Sequence, residues 1–347
     1  MMQLSPSLPK SQAASKESIK PLAFRRRIHK RLQSVFGLLL VLVIALIASP
    51  HSPRGGLIFL EAGNITDVLR QVSEIGIISL GMTFVILTGG IDLSVGTVLA
   101  LASSIVALVL TRVSFGISSG MAITVAILIS LAAATLIGFT NGWIIARLRI
   151  QPFIVTLATM IGVRGLARWL TSNTNIDIGF GADLASEFSR VFSTKTMVIG
   201  SYVLLSMGLA AVLTKTVFGR HARAVGDNEK AARYAGLPIS RTKIAVYTMT
   251  GLLAGCAGVL HAAQNHQGNP NSGVAYELEA IAAVVIGGTS LMGGSGSIWG
   301  TVVGTLIIGV LTNILRLNNV DSNVEMMIKA AIILGAVWIQ RAGKEAS

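Results

Sequence analysis

One polar segment interrupts long apolar sequence, and its residues are of types that do chemistry in proteins. It reads GGIDLSVGTV over Gly89–Val98. Asp92 supplies an ionisable carboxylate and Ser94 a hydroxyl, while the two adjacent glycines allow backbone conformations that other residues avoid. In a water-soluble chain the same residues form an ordinary turn. The meaning of the segment therefore depends on whether the chain is soluble.

The composition indicates a membrane protein. Of the 347 residues 52% are hydrophobic and only 12% are charged, whereas soluble domains carry about 25% charged residues. Apolar runs of about 18 to 20 residues, long enough to cross a bilayer, recur along most of the chain. The 37 glycines suit helices that pack closely in lipid. We predict an all-α, polytopic integral membrane protein.

In a membrane, the polar segment predicts a break between two helices. Irregular backbone survives at membrane depth only beside protein or water, because unpaired amides are costly in hydrocarbon. Gly89 and Gly90 permit the break, and the carboxylate of Asp92 favours the N-terminus of a helix that begins near Ser94. Two interpretations stay open for Asp92 and Ser94. They are a structural helix cap and the border of a translocation path, and the two are compatible.

The other reactive residue types do not form the constellation of an enzyme. No segment matches G-x-x-x-x-G-K-[ST], so the chain does not bind ATP through a P-loop. The dinucleotide pattern is missed by one residue in GSGSIWG at Gly294–Gly300, and HAAQNH at His261–His266 lacks the glutamate of a zinc motif. We interpret both histidines as interfacial polar residues. The single Cys256 forms no intrachain disulfide. The sequence predicts no catalysis, cofactor or metal site.

The positive charge indicates how the chain is oriented. The formal net charge is +13, and basic residues cluster at Phe24–Arg31, Arg147–Arg149 and Arg220–Lys243. Basic loops remain on the cytoplasmic side of a membrane, so these groups mark the inner face and both termini are predicted to be cytoplasmic. Binding of nucleic acid or anionic lipid explains the clusters less well, because all of them lie at the ends of apolar segments.

About ten crossings account for the apolar runs. Residues 1–31 form a basic, disordered cytoplasmic tail in this interpretation, residues 32–342 the transmembrane domain, and residues 343–347 a short tail. Polar outer loops are expected at 172–195 and 264–277. The predicted spans are 32–49, 65–88, 94–111, 121–146, 152–171, 196–214, 244–263, 278–286, 298–315 and 324–339.

Charged residues inside the spans are costly, and each needs an explanation. Arg164 is deep in the fifth span, for which we expect a structural or pathway role, and Arg168 near its outer end is expected to snorkel. Glu325 and Lys329 are four residues apart and predict an intrahelical ion pair.

A separate feature is an internal echo, because Gly89–Val98 and Gly293–Val302 share G-G-x-x-x-x-x-G-T-V. Duplication and chance remain open as its origin.

Five blocks in a fixed order carry a family resemblance. The chain resembles the membrane permease subunits of bacterial ATP-binding-cassette importers for ribose, xylose, arabinose, galactose and similar sugars, over roughly residues 30 to 342. The third block is short and consists of RG at Arg164–Gly165. The longer blocks are GMTFVILTGGIDLSVG at Gly81–Gly96, NGWIIARLRIQPFIVTLATM at Asn141–Met160, FGRHARAVGDNEKAARYAGL at Phe218–Leu237 and YELEAIAAVVIGGTSLMGGSGSIWG at Tyr276–Gly300.

The resemblance implies a non-catalytic transport subunit of the bacterial cytoplasmic (inner) membrane. Its expected partners are the lipid bilayer, a separate ATPase, an extracytoplasmic sugar-binding protein, and a second permease copy or paralogue. The alternative is an ion-coupled secondary transporter of a small polar solute. Such a carrier needs ionisable groups at membrane depth, and the spans show no evident buried acidic pair.

The resemblance and the residue types together nominate two sets of functional residues. Residues 218–241 are expected to form a cytoplasmic ATPase-coupling loop, whose short helix starts at Gly226 and Asp227 and ends at Gly236–Pro238. Neutral hydroxyl and amide groups are expected to line the path, including Thr83, Ser103, Ser104, Thr140 and Thr159. The path or hinge candidates are Gly89, Gly90, Asp92, Ser94, Asn141 and Arg164, and the coupling candidates are Arg220, Gly226, Glu229, Ala231, Ala232 and Gly236.

Overall fold

A computed structural model of the chain describes residues 34–53, 55–113, 118–179 and 184–345. For residue 333 and residues 336–345 it describes the backbone only. The predicted tail at 1–31 lies outside the described residues. The helix that ends the described chain continues to Glu345, three residues into the segment that was expected to form the second tail.

Thirteen helices make up most of the described chain, joined by loops and one two-stranded pairing. A 3-10 turn at Ile58–Leu60 precedes α2, and a π-helical turn at Ile144–Leu148 follows α4. The helices are α1 (Ser34–Ile47), α2 (Ala62–Leu87), α3 (Val95–Arg112), α4 (Ser119–Trp143), α5 (Pro152–Leu170), α6 (Leu184–Phe192), α7 (Lys195–Lys215), α8 (Val217–Asp227), α9 (Glu229–Tyr234), α10 (Ile239–Asn265), α11 (Tyr276–Ile286), α12 (Ile298–Leu317) and α13 (Ser322–Glu345).

Seven of the described helices are long and apolar enough to cross a membrane: α2, α3, α4 with its π-helical turn, α5, α7, α10 and α12. The prediction of an all-α polytopic membrane protein is confirmed. The other three predicted spans fall on the short apolar α1, on the 11-residue α11, and on α13. The count of ten and the cytoplasmic placement of both termini stay predictions.

Helix α2 lies at the centre of the bundle, and α10, α12, α7 and α11 pack around it. Within its apolar stretch 78% of the residues are buried, against 22% in α5 and 28% in α7. A helix that is apolar all round is buried in protein or faces lipid. The peripheral α5 and α7 therefore present their apolar faces outward, and α2 forms the core.

Glycines bring α4 and α10 close together. A Cβ on Gly138 would lie 2.9 Å from the Cα of Gly251, and a Cβ on Gly142 would lie 2.8 Å from the Cα of Ile244. Small residues at such crossings let helix backbones approach in a membrane, where packing rather than the hydrophobic effect holds helices together. The abundance of glycine thus has a structural cause at this crossing.

Two predicted outer loops meet in a short antiparallel pairing. Strand β1 (Ile176–Asp177) pairs with β2 (Gln267–Gly268), with Ile176 opposite Gly268. Helix α6 follows β1 and packs on α10 and α3. The pairing joins residues about 90 positions apart in the chain, so the two polar loops form one surface.

Candidate functional site

The polar segment Gly89–Val98 is a break between α2 and α3. Helix α2 ends at Leu87, Gly89 takes a φ of 76°, and α3 begins at Val95. The carboxylate of Asp92 accepts the backbone N–H of Ser94 at 2.9 Å and its hydroxyl at 2.6 Å. The side chain of Asp92 thus closes a turn at the start of α3, where a carboxylate is favoured.

A buried hydrogen-bond chain connects this break to two further helices. The Nδ2 of Asn141, on α4, donates to the Ser94 hydroxyl at 3.1 Å, and the hydroxyl of Thr159, on α5, donates to the Oδ1 of Asn141 at 2.6 Å. Asp92, Ser94 and Asn141 are at most 2% exposed. Buried polar networks of this kind favour one arrangement of the helices around them.

Within this single chain, the network supports the structural cap more directly than an open path. The path was also expected to include Thr83, Ser103 and Ser104, but their side chains are fully buried. Their hydroxyls donate to backbone carbonyls of the preceding turn. These residues stabilise the bundle interior. Of the neutral residues nominated above, Thr140 is exposed and Thr159 is half-buried.

Arg164 does not join the hinge residues. Its Nη1 donates to the carbonyls of Pro270 at 2.7 Å and Ser272 at 2.6 Å, in the loop after β2. Arg168 donates to the Oδ1 of Asn271 at 2.8 Å. The two arginines therefore attach α5 to this loop, and Arg168 has a specific partner where only snorkelling was expected.

Arg164→Gln is expected to loosen the loop at 269–273. The substitution removes two charge-assisted hydrogen bonds, so its backbone amides should exchange with solvent about tenfold faster or more. Hydrogen–deuterium exchange of the full chain measures this. Arg168→Gln, which removes one exposed contact, is the matched control and should change exchange much less. Equal protection in the wild type and Arg164→Gln would contradict the assigned contact.

The predicted coupling loop folds into two helices, and its boundary differs from the expectation. Gly226 and Asp227 end α8, and the short helix α9 begins two residues later at Glu229. The cause is Asn228, whose side chain accepts the N–H of Ala231 at 3.0 Å as an N-cap. Gly236, with a φ of 74°, follows the end of α9.

The two adjacent alanines of α9 differ in burial. Ala232 is 5% exposed and packs with Val225 and Ile239, whereas Ala231 lies on the exposed side of α9. Tyr234 is 91% exposed. Ala232 therefore holds α9 against α8 and α10, and the free surface of the loop consists of Ala231, Tyr234 and their exposed neighbours. Arg220 is also exposed.

The coupling loop touches the end of α2, directly before Gly89, and the second member of the internal echo at Gly293 and Gly294. Gly226 packs directly on the carbonyl of Leu87, where α2 ends, and the N–H of Gly294 donates to that same carbonyl at 3.0 Å. Gly293 and Gly294 have φ values of 86° and 73°. Phe218, on α8, stacks on Phe84 of α2 with ring centroids 5.9 Å apart. One junction thus joins α8, the α2–α3 break and the loop before α12.

Glu229 connects α9 to α10 through two ion pairs, to Arg233 at 3.0 Å and Lys243 at 2.7 Å. Burial disfavours its carboxylate, but the hydrogen bonds and charges of Lys243 and Arg233 outweigh burial and lower its pKa below the ordinary 4.5. Because the pKa of Glu229 is lower in the folded state, its ionised carboxylate stabilises the loop at pH values above the ordinary pKa. This stabilisation is lost as the pH falls through the pKa of the folded state.

We expect α9 to loosen in acid. Backbone amides of residues 232–236 should be equally protected at pH 7 and pH 6 and should lose protection below about pH 4.5, once intrinsic exchange rates are corrected. Glu229→Gln should abolish this dependence on pH. Protection of the wild type that is unchanged down to pH 3 would refute the role of the carboxylate.

A cluster of ionisable groups that the sequence did not predict lies near the end of the bundle that carries the 264–277 loop. Glu74, on α2, is 8% exposed and its carboxylate lies 2.5 Å from Nδ1 of His261. His261 is itself 7% exposed and its Nε2 lies 2.8 Å from the Ser272 hydroxyl. His261 therefore has specific partners inside the bundle, which its interpretation as an interfacial polar residue did not include. The available signal was a lone glutamate within an apolar span.

The ion pair predicted between Glu325 and Lys329 is present at 2.7 Å, but it belongs to a larger network. Lys329 also binds Glu279 of α11 at 2.7 Å, and Arg316 of α12 binds Glu325 at 3.3 Å. The network connects three helices. Among the described residues no group of three or more potential metal ligands comes together.

A polytopic helical bundle with broken helices, buried polar networks and a folded polar loop at one end has the architecture of a membrane transport subunit. The family described as the permease component of branched-chain amino acid transport systems matches residues 64–337. The chain belongs to this permease family. The predictions of a permease and of a multi-pass location in the cytoplasmic membrane are confirmed.

Relatives extend over nearly the whole chain. The ribose import permease protein RbsC of Bacillus subtilis is 41% identical over 324 residues, which cover 91% of this chain and 96% of that protein. RbsC of Escherichia coli K12 is 41% identical over 308 residues, 87% of this chain and 92% of that protein. The xylose transport system permease protein XylH of Haemophilus influenzae is 31% identical and covers 88% and 96%.

Proposed function

We propose that this chain is the transmembrane subunit of an ATP-binding-cassette importer and conducts a monosaccharide delivered by an extracytoplasmic binding protein. The observation that carries the proposal is the 41% identity to two ribose import permeases over about nine-tenths of the chain. Ribose and chemically similar pentoses are the first solutes to test. The chain performs no hydrolysis itself, and a separate partner hydrolyses ATP.

The coupling loop supports an ATPase partner. Helices α8 and α9 fold as one unit, in which Ala232 is buried and Tyr234 is 91% exposed. A helix as short as the six-residue α9 is unstable alone in water, so its packing on α8 and α10 makes it a preformed contact surface. An aromatic residue exposed on a rigid element suits insertion into a partner's groove.

The contacts of Gly226 support transmission of ATPase movement to the membrane helices. Gly226 sits against the end of α2 and the loop before α12. A displacement of α8 would therefore act directly on the α2–α3 break, which Asp92 and Asn141 connect to α3, α4 and α5. Broken helices are common at the moving sites of transporters.

The predicted outer surface supports docking of a binding protein. The β1–β2 pairing makes one surface of the two polar loops, and Arg164 fixes the second loop to α5. Because α5 is mostly exposed in a single chain, a second permease copy or a paralogue is expected to cover part of it. Docking at this surface would then reach the helix that faces the partner subunit.

Uptake by the reconstituted importer tests the proposal. Vesicles that contain this chain, its ATPase and its binding protein should accumulate radiolabelled ribose or another pentose. They should do so only when ATP is present on the side of the membrane where the ATPase lies. A protonophore should leave this uptake unchanged while ATP is held constant. Uptake that needs no ATP and collapses with the protonophore would favour the ion-coupled secondary transporter. The one specific observation in favour of that alternative is the buried pair of Glu74 and His261.

A further inference from the structure

We propose that the groove between α11, α12 and α13 binds a zwitterionic phospholipid with a primary-ammonium headgroup. The groove has a polar cleft at one end and an apolar channel at the other. Glu279 and Lys329 line both parts. The two parts therefore adjoin at these two side chains, and their chemistry matches the two ends of an amphiphile.

The polar cleft has a volume of about 100 Å³ and lies between α2, α11, α12 and α13. Its position is shallow, because Glu279 is in the first turn of α11 and Arg316 in the last turn of α12. Lys329 is seven residues into α13, or about 10 Å along its axis. All three lie near the end of the bundle that carries the 264–277 loop, a depth that suits lipid headgroups.

The charges of the cleft are balanced, which favours a zwitterion. The lining includes the acids Glu74 and Glu279 and the bases Arg316 and Lys329. Lys329 is shared between Glu279 and Glu325. A purely anionic headgroup would lie against the two lining carboxylates, and a purely cationic one against the two bases. Like charges at such short range are unfavourable at low dielectric.

Hydrogen-bonding capacity remains in the cleft after the internal contacts are counted. Arg316 donates from Nε to Glu325, and in the part of the chain that the structure describes its terminal amino groups have no protein acceptor. The amide of Gln71 and the Oε2 of Glu279 likewise have no protein partner there. A phosphate accepts from Arg316 and Gln71, and an ammonium group donates to Glu279.

The apolar channel continues from the cleft toward the middle of the bundle. It is lined by Ala282, Ile286, Ile308, Leu311 and Ile332 below Glu279 and Lys329. Ile286 is the last residue of α11, seven residues and about 10 Å beyond Glu279. This is the direction an acyl chain takes from a headgroup. A free sugar carries hydroxyls all round and would leave the channel uncovered.

Native mass spectrometry of the purified full-length chain tests the proposal. After exchange into detergent with phosphatidylethanolamine, phosphatidylcholine or phosphatidylglycerol of identical acyl chains, one phosphatidylethanolamine per chain should remain bound. Ile332→Trp fills the channel and should lower the bound fraction about tenfold at matched lipid concentration. Leu334→Trp, on the same helix at a 72% exposed position outside the channel, is the matched control and should retain the lipid.

A headgroup variant separates the polar from the apolar contribution. Arg316 has a 58% exposed side chain, so Arg316→Gln should leave the fold intact and reduce the preference for phosphatidylethanolamine. Equal retention of all three lipids by the wild type, or full retention by Ile332→Trp, would overturn the proposal. So would displacement of the lipid by millimolar ribose, which would make the cleft a solute site. If the wild type is a dimer and Ile332→Trp dissociates it, a second copy of the chain rather than a lipid covers the channel. This result would also overturn the proposal.

Discussion

Gly226→Ala is expected to abolish ATP-driven uptake. The added Cβ would collide with the carbonyl oxygen of Leu87 and lie 2.7 Å from the backbone nitrogen of Gly294. Both neighbours are backbone atoms joined to each other by a hydrogen bond, so neither moves aside by a change of rotamer. The junction must open, and α8 loses its close contact with the end of α2.

The substitution is expected to destabilise the protein, whereas an ordinary change of glycine to alanine in a helix stabilises it. Overpacking by a single carbon in a tight site costs about 1 to 3 kcal/mol, whereas an alanine at an open helical position is favourable by up to about 1 kcal/mol. Gly200→Ala, in α7, is the matched control because a Cβ there meets no atom within 4 Å. It should transport sugar like the wild type.

Two measurements distinguish a broken junction from a chain that fails to insert. Membrane yield and detergent-solubilised melting temperature report the fold, and ATP-dependent uptake reports the coupling. We expect near-normal insertion, a lowered melting temperature and uptake below about a tenth of the wild type, since about 1.4 kcal/mol corresponds to tenfold. Wild-type uptake by Gly226→Ala would show that this close approach is not needed for transport.

Local chemistry explains which parts of the site could be predicted from the sequence. The break at Gly89–Asp92 was predicted because glycines, a carboxylate and a following helix are neighbours in the chain, and their preferences are local. The start of α9 was misplaced by two residues because Asn228 and Asp227 are both good caps. Which of them caps a helix depends on the packing of α8 against α2, which the sequence does not display.

Long-range pairs could not be predicted from one sequence. Arg164 binds the carbonyls of residues 106 and 108 positions away, and Glu74 meets His261 across 187 positions. A charged residue in a span predicts that a partner exists, but the identity of the partner depends on how the helices pack. Arg164 and Glu74 were therefore recognisable as isolated charged residues, and their partners emerged from the tertiary structure.

Tyr234→Ala is expected to release the ATPase from the permease. Tyr234 is 91% exposed at the end of α9, on a surface whose buried side is held by Ala232. An exposed aromatic residue on a preformed element loses little conformational entropy on binding, and truncating such an anchor typically costs 2 kcal/mol or more, at least about 30-fold in affinity. The fold of the loop should be unaffected, because the ring makes few contacts within the chain.

Lys230→Ala, an exposed substitution on the same short helix, is the matched control and should bind the ATPase nearly as the wild type does. Ala232→Arg gives a contrasting result, since it inserts a charge between Val225 and Ile239 and should unfold α9 as well as prevent docking. Copurification measures docking, and amide exchange of residues 229–237 measures folding of the loop. Loss of docking with normal protection in Tyr234→Ala, and loss of both in Ala232→Arg, is the expected pair. Normal copurification of Tyr234→Ala would place the ATPase contact elsewhere on the inner face.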